Sequence, residues 1–200
     1  MLVDVQHTAI PELTRVFGHS GLYLRASADI TPELSGNMLA QVVSLYRNGE
    51  GFSGQVQCGD GELPFASESQ SLVYACFVLE TSPAPYALLA EFRRVLKPEG
   101  VAMVFGLNPW SPCVFRYGRG GARLRSVGTT EELARESGLT IMARQFLGPC
   151  RLGGASRMGN SWGDTLRPAY LVLLRRRDAP LTPLRKAVSA ASLRPGVSLG

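Results

Sequence analysis

Two nearly unbroken apolar runs, Ser71–Leu79 (SLVYACFVL) and Val101–Leu107 (VAMVFGL), lie close together in this chain and restrict its fold more than any other feature. A strand with one face in water alternates apolar and polar residues. A run without alternation suits a strand covered on both faces, as in a parallel sheet between helical layers. Between the runs, Tyr86–Lys97 carries Leu88, Phe92, Val95 and Leu96 on one helical stripe, with Glu91, Arg93, Arg94 and Lys97 mostly off it. Pro83 and Pro85 end the first run and preset a helix start; Pro98 and Gly100 stop the helix. Strand, amphipathic helix, strand at this length is a βαβ unit with a right-handed crossover. The expected fold class is α/β, with a central, mostly parallel sheet flanked by helices and with these two runs as its middle strands.

The flanking segments are less sharply patterned. Ile10, Leu13, Val16 and Phe17 have helical spacing closed by Gly18, and Gly21–Ala26 reads as a short strand. Leu39–Tyr46 is a second strand or a short helix, which its period does not separate. Gly49–Gly51 and Ser53–Gly54 mark a turn before Gln55–Cys58. Thr129 and Glu132 have capping-box spacing at the start of another helix, and Gly138 is placed to close it. Thr140–Phe146 alternates, as an edge strand does; Leu147–Arg167 reads as a long loop, and Ala169–Leu174 as the last strand. One domain over residues 1–178 is expected, followed by a basic, Pro-interrupted extension over 179–200.

Charge is unevenly spread. From Cys150 onward nine Lys/Arg face only Asp164 and Asp178, so the first 149 residues are slightly acidic although the chain carries +5 overall. Such a segment attracts nucleic acid or an acidic partner, but no aromatics interleave with its arginines as a base-stacking surface requires, so a solvated tail is favoured. No run of about twenty apolar residues suggests a membrane span, and no basic-then-apolar leader opens the chain. Cys58, Cys76, Cys113 and Cys150 are too dispersed for a zinc-ligand pattern, and a reduced, cytoplasmic protein is expected.

Four words occur in order: Leu63-Pro64-Phe65, Val78-Leu79-Glu80, Arg94-Val95-Leu96-Lys97-Pro98-Glu99-Gly100, and a second apolar strand. Together they resemble the central third of class I S-adenosylmethionine (SAM) dependent methyltransferases of the type 11 kind. Asn108-Pro109-Trp110-Ser111 and Leu181-Thr182-Pro183-Leu184-Arg185 resemble phrases of a small bacterial branch of these proteins. The resemblance implies a Rossmann-like fold and SAM as cofactor, bound beyond the carboxyl ends of the strands. It also implies a glycine turn after the first strand, where a Cβ would strike the cofactor. Here that turn reads Arg25-Ala26-Ser27-Ala28-Asp29, so weak or lost SAM binding is expected. The short interval from there to Asp60 implies a shortened or absent first helix.

By the same resemblance Asp60, after Gly59, is the candidate for adenine recognition, against a turn-forming Asp between two glycines. Leu63, Glu80 and Asn108 are the other candidate cofactor contacts, and Glu50 or Asp29 could hold the ribose. Glu80 is read first as a helix-entry or solvent-facing acid. Phe77 stands where many relatives carry His, and no catalytic residue is assigned. Trp110 either covers a ligand or partner or packs in a Pro-flanked turn, the latter slightly preferred. A crevice is expected with Asp60 or Glu80 at its floor and Trp110 at its rim. The function is then that of a SAM-dependent methyltransferase of unknown acceptor, or of an inactive member of the fold that binds a protein partner or a second copy of itself. Methyl transfer to an already nucleophilic acceptor depends mainly on alignment, so a missing general base does not decide between them.

Overall fold

The computed structural model describes residues 2–31, 36–112, 122–148 and 166–178. Seven strands form one sheet: β1 (Phe17–Arg25), β2 (Met38–Asn48), β3 (Gly51–Gly54), β4 (Gln70–Cys76), β5 (Leu96–Leu107), β6 (Thr140–Leu147) and β7 (Ala169–Arg175). Their order is β3-β2-β1-β4-β5-β7-β6. β2, β1, β4 and β5 run parallel, while β3 and β7 are antiparallel to their neighbours. The two apolar runs are thus adjacent and parallel, with β4 between β1 and β5 and β5 between β4 and β7. β4 is buried along its whole length, which explains its lack of alternation.

Helices cover both faces. α1 (Leu2–Leu13) lies on one side, where Val5, Ala9 and Leu13 pack with Tyr23, Tyr74 and Phe105. α2 (Pro85–Val95) and α3 (Val127–Glu136) lie on the other, where Leu88, Phe92 and Ala134 meet Leu22, Leu24, Val73 and Val104. β1 and β2 are parallel, yet no helix joins them among the described residues, in keeping with the shortened first crossover. Parallel neighbours are ordinarily linked through a helix.

Several local readings shift. α1 begins eight residues earlier than the Ile10–Phe17 pattern, and Phe17 opens β1 instead of ending a helix. Leu39–Tyr46 is strand, extended into an antiparallel hairpin with Gly49 at positive φ in the two-residue turn. Ser126, not Thr129, caps α3: its hydroxyl accepts the Thr129 N–H at 3.2 Å. Gly138 closes that helix at φ +81°, where a Cβ would lie 2.8 Å from Arg93. β6 is the edge strand that its alternation predicts. Most of the Leu147–Arg167 stretch and all of 179–200 lie outside the described residues.

Candidate functional site

Parallel strands deliver their carboxyl ends to one face, and here Arg25, Cys76 and Leu107 close β1, β4 and β5 together. β4 stops because Phe77 adopts φ +56°, a left-handed conformation uncommon for a side chain of this size. Its N–H still donates to Phe105 O at 3.1 Å, and Val78–Ser82 then turns across the mouth of the sheet.

Glu80 sits in that turn and is buried, which corrects its reading as a solvent-facing acid. Its Oε1 accepts the Leu107 N–H at 2.7 Å, and its main-chain carbonyl accepts the Arg123 N–H at 2.7 Å. Oε2 is buried with no hydrogen-bond partner. Burial therefore pushes the carboxyl up to about 7, against the lowering pull of the Leu107 N–H and of Arg125. The Arg125 guanidinium also donates to Leu79 O, so β4's exit, β5's end and the approach to α3 meet at one acid.

Asp60 is only 5% exposed. Both of its oxygens are engaged: Arg47 pairs with Oδ1, and the Ser82 hydroxyl donates to Oδ2. Arg47 lies 4.0 Å from the Phe52 ring centroid with its side chain 5% exposed. Ser82 Oγ in turn accepts the Ala84 N–H at 3.2 Å, just ahead of α2. Asp60 thus fastens the end of β2 to the entry of α2.

Asn108 is buried as well. Its Nδ2 donates to Arg167 O at 2.8 Å and its Oδ1 accepts the Trp110 N–H at 3.1 Å, folding the segment after β5 against the start of β7. Trp110, by contrast, is 75% exposed, so the packed-turn reading is corrected in favour of an open indole. Leu63 is core, and its neighbours explain two of the sequence words. Arg94 donates to the carbonyls of Leu63 and Phe65 at 2.9 and 2.8 Å, while Glu91 accepts the Leu63 N–H at 2.8 Å. Burial raises the Glu91 carboxyl, but the bonds from Arg94 and Leu63 outweigh it and hold the group below the usual range. Leu-Pro-Phe and Arg-Val-Leu-Lys-Pro co-occur because the second holds the first.

After β1, Arg25 donates to Ala28 O at 3.3 Å and Ile30 O at 2.7 Å, and Ala26 N–H donates to Cys76 O at 3.0 Å. Sequence reading missed Arg25, Arg47, Ser82 and Arg125. Only the Glu91–Arg94 pair had a local signal, its i,i+3 spacing. No helix among the described residues is long and apolar enough to cross a membrane.

Residues 20–104 match the model of the methyltransferase domain family. The chain has the strand order described above, and a SAM-dependent methyltransferase of Thermotoga maritima superposes on it with a TM-score of 0.56 at 13% identity, over 88% of this chain and 91% of that one. The fold is the Rossmann-like one of class I SAM-dependent methyltransferases, and residues 20–104 are similar to their domain. A methyltransferase of Haloferax volcanii, solved with the Trm112 methyltransferase activator, gives 0.55 at 14% identity over 88% and 91%. By sequence, 69 residues are 41% identical to the malonyl-[acyl-carrier protein] O-methyltransferase of Alcanivorax borkumensis, 34% of this chain and 23% of that enzyme. The chain spans about a quarter of the length of the curated relatives it matches.

Proposed function

We propose that this methyltransferase-like chain binds SAM weakly or not at all, because its own side chains occupy the cofactor end, and that the mouth of its sheet binds another protein. The observation that carries this is Arg25: its guanidinium is tied to the carbonyls of the turn where the family places bare glycine backbone. The same turn carries the side chains of Ala26, Ser27 and Ala28. Asp60, the adenine candidate, has both oxygens committed to Arg47 and Ser82. The residues present therefore fit SAM poorly. The exposed Trp110, its N–H held by the buried Asn108, suits an aromatic anchor for a partner. A basic tail reading nucleic acid rests on charge alone and is not favoured.

A second reading, a methyltransferase of unknown acceptor, is favoured by the match of residues 20–104 to the methyltransferase domain. Calorimetric titration of the full chain with SAM and with S-adenosylhomocysteine separates the two. The expected result is no saturable heat at micromolar ligand. Micromolar or tighter affinity for either compound overturns the proposal in favour of the enzyme.

A further inference from the structure

Phe17 and Met38 open β1 and β2, stand paired in register, and are 68% and 53% exposed. Among the described residues, no other two exposed large apolar side chains are paired in the sheet. Val16 and Leu39, next to them in the chain, are only partly buried. Apolar side chains left together in water mark a surface that another apolar segment covers. This edge holds the amino ends of the parallel strands, opposite the mouth where the resemblance places SAM.

The end of β7 comes to the same edge. Gly21, Leu72, Val101 and Arg175 are level across β1, β4, β5 and β7. Phe17 lies four residues beyond that line; β7 is antiparallel, so Asp178 lies three residues beyond it on the same side. The ladder runs on past β7: Arg176 N–H donates to Gly100 O at 3.0 Å, and Arg176 O accepts the Glu99 N–H at 2.9 Å. The Arg176 guanidinium donates to Leu96 O at 2.7 Å and pairs with Glu68 at 2.6 Å, just ahead of β4. Only β5 and β4 separate β7 from β1, a lateral span of about 14 Å at about 4.8 Å per strand. The six steps from Asp178 to Leu184 reach up to about 20 Å, enough to cross it.

Residues 179–200 lie outside the described residues, and their sequence supplies an apolar stripe. Thr182-Pro183 is a capping residue followed by a proline suited to a first helical position. Leu184, Ala187, Val188 and Ala191 then fall at i, i+3, i+4 and i+7, with Arg185 and Lys186 off that stripe. We propose that this stripe docks on Phe17 and Met38, leaving Arg185 and Lys186 in water. A second copy of the chain is a poorer occupant, because a stable dimer buries about 800 Å² on each partner, more than two side chains supply. A tethered segment needs less contact, since its linker holds it at an effective concentration in roughly the millimolar range. The surface is independent of whether SAM binds at the opposite end of the strands.

Limited trypsin digestion of the full chain, with cleavage after Lys186 followed by mass spectrometry, tests the docking. Cleavage tracks the population in which the segment is released, so a docked segment is cut slowly. Phe17→Ser and Met38→Ser, at exposed positions remote from the cut, should each speed cleavage about tenfold, and either serves if the other fails to fold. Val188→Ser should speed cleavage on its own and add nothing in the Phe17→Ser background, because both changes break one contact. The proposal is overturned if neither Phe17→Ser nor Met38→Ser changes the rate, or if the effects of Phe17→Ser and Val188→Ser multiply. A Phe17→Ser variant that elutes later in size-exclusion chromatography with its cleavage rate unchanged assigns the surface to a second copy, and equally overturns it.

Discussion

Removing the Asp60 carboxylate strips a buried arginine of its counter-ion. Arg47 and Asp60 have side chains 5% and 4% exposed, a regime in which breaking one partner of an ion pair costs about 3–5 kcal/mol. Asp60→Ala is therefore expected to lose stability in that range by urea denaturation, whatever it does to ligands, so a binding assay on this variant must first establish that it is folded. Glu80 behaves differently because no cation among the described residues lies within hydrogen-bond reach of its side chain to offset its burial. Its carboxyl is raised from 4.5 to about 7, so the folded state holds the proton more tightly than the unfolded chain. The contribution is fully present below about pH 4.5 and is lost as pH rises through 7, an effect on the order of 3 kcal/mol. Glu80→Gln keeps an acceptor for the Leu107 N–H and should flatten the stability profile between pH 4.5 and 7. An unchanged slope, measured by chemical denaturation at stepped pH, would show that other groups set it.

At the level of elements, β5 and β7 are joined at a point where only glycine fits. Gly106 pairs with Tyr170, and a Cβ at 106 would lie 2.1 Å from the Tyr170 ring. The close approach places the Tyr170 hydroxyl 2.7 Å from Thr130 Oγ1 and 3.1 Å from Arg125 O, tying β7 to the start of α3. Gly106→Ala must displace that ring, and we expect a loss of at least about 2 kcal/mol by urea denaturation. The sequence showed β5 as an apolar run but gave no reason for its glycine, since Tyr170 is remote in the chain. The bridge that joins β3 to Cys58 was obscured for a similar reason: Phe52 and Cys58 bond each other at 2.7 and 3.1 Å, a pairing with no periodic signature.

For the whole molecule, the exposed mouth of the sheet is the surface to test against a partner. Trp110 is exposed at the mouth of the sheet, so Trp110→Ala should change stability by no more than about 0.5 kcal/mol. If that face is used, the same substitution should abolish co-elution with a partner or self-association in size-exclusion chromatography. A variant that unfolds, or that associates as wild type does, places the working surface elsewhere, and the basic segment after Arg175 becomes the next candidate.

The sequence by itself determined the parallel centre of the sheet, the α2 crossover, the edge position of β6 and the glycine end of α3. Each is written in local periodicity or in a capping residue whose physics acts over a few positions. The likeness to the methyltransferase domain was legible in the same way, through words that the Glu91–Arg94 pair physically connects. The states of the site residues were not legible. Whether Asp60 is free or paired depends on Arg47 and Ser82, 13 and 22 positions away; whether Glu80 is solvated depends on Leu107, 27 positions away. Burial and partner choice are properties of the packed sheet, set when distant strand ends are brought to one face, and only the tertiary structure decided them.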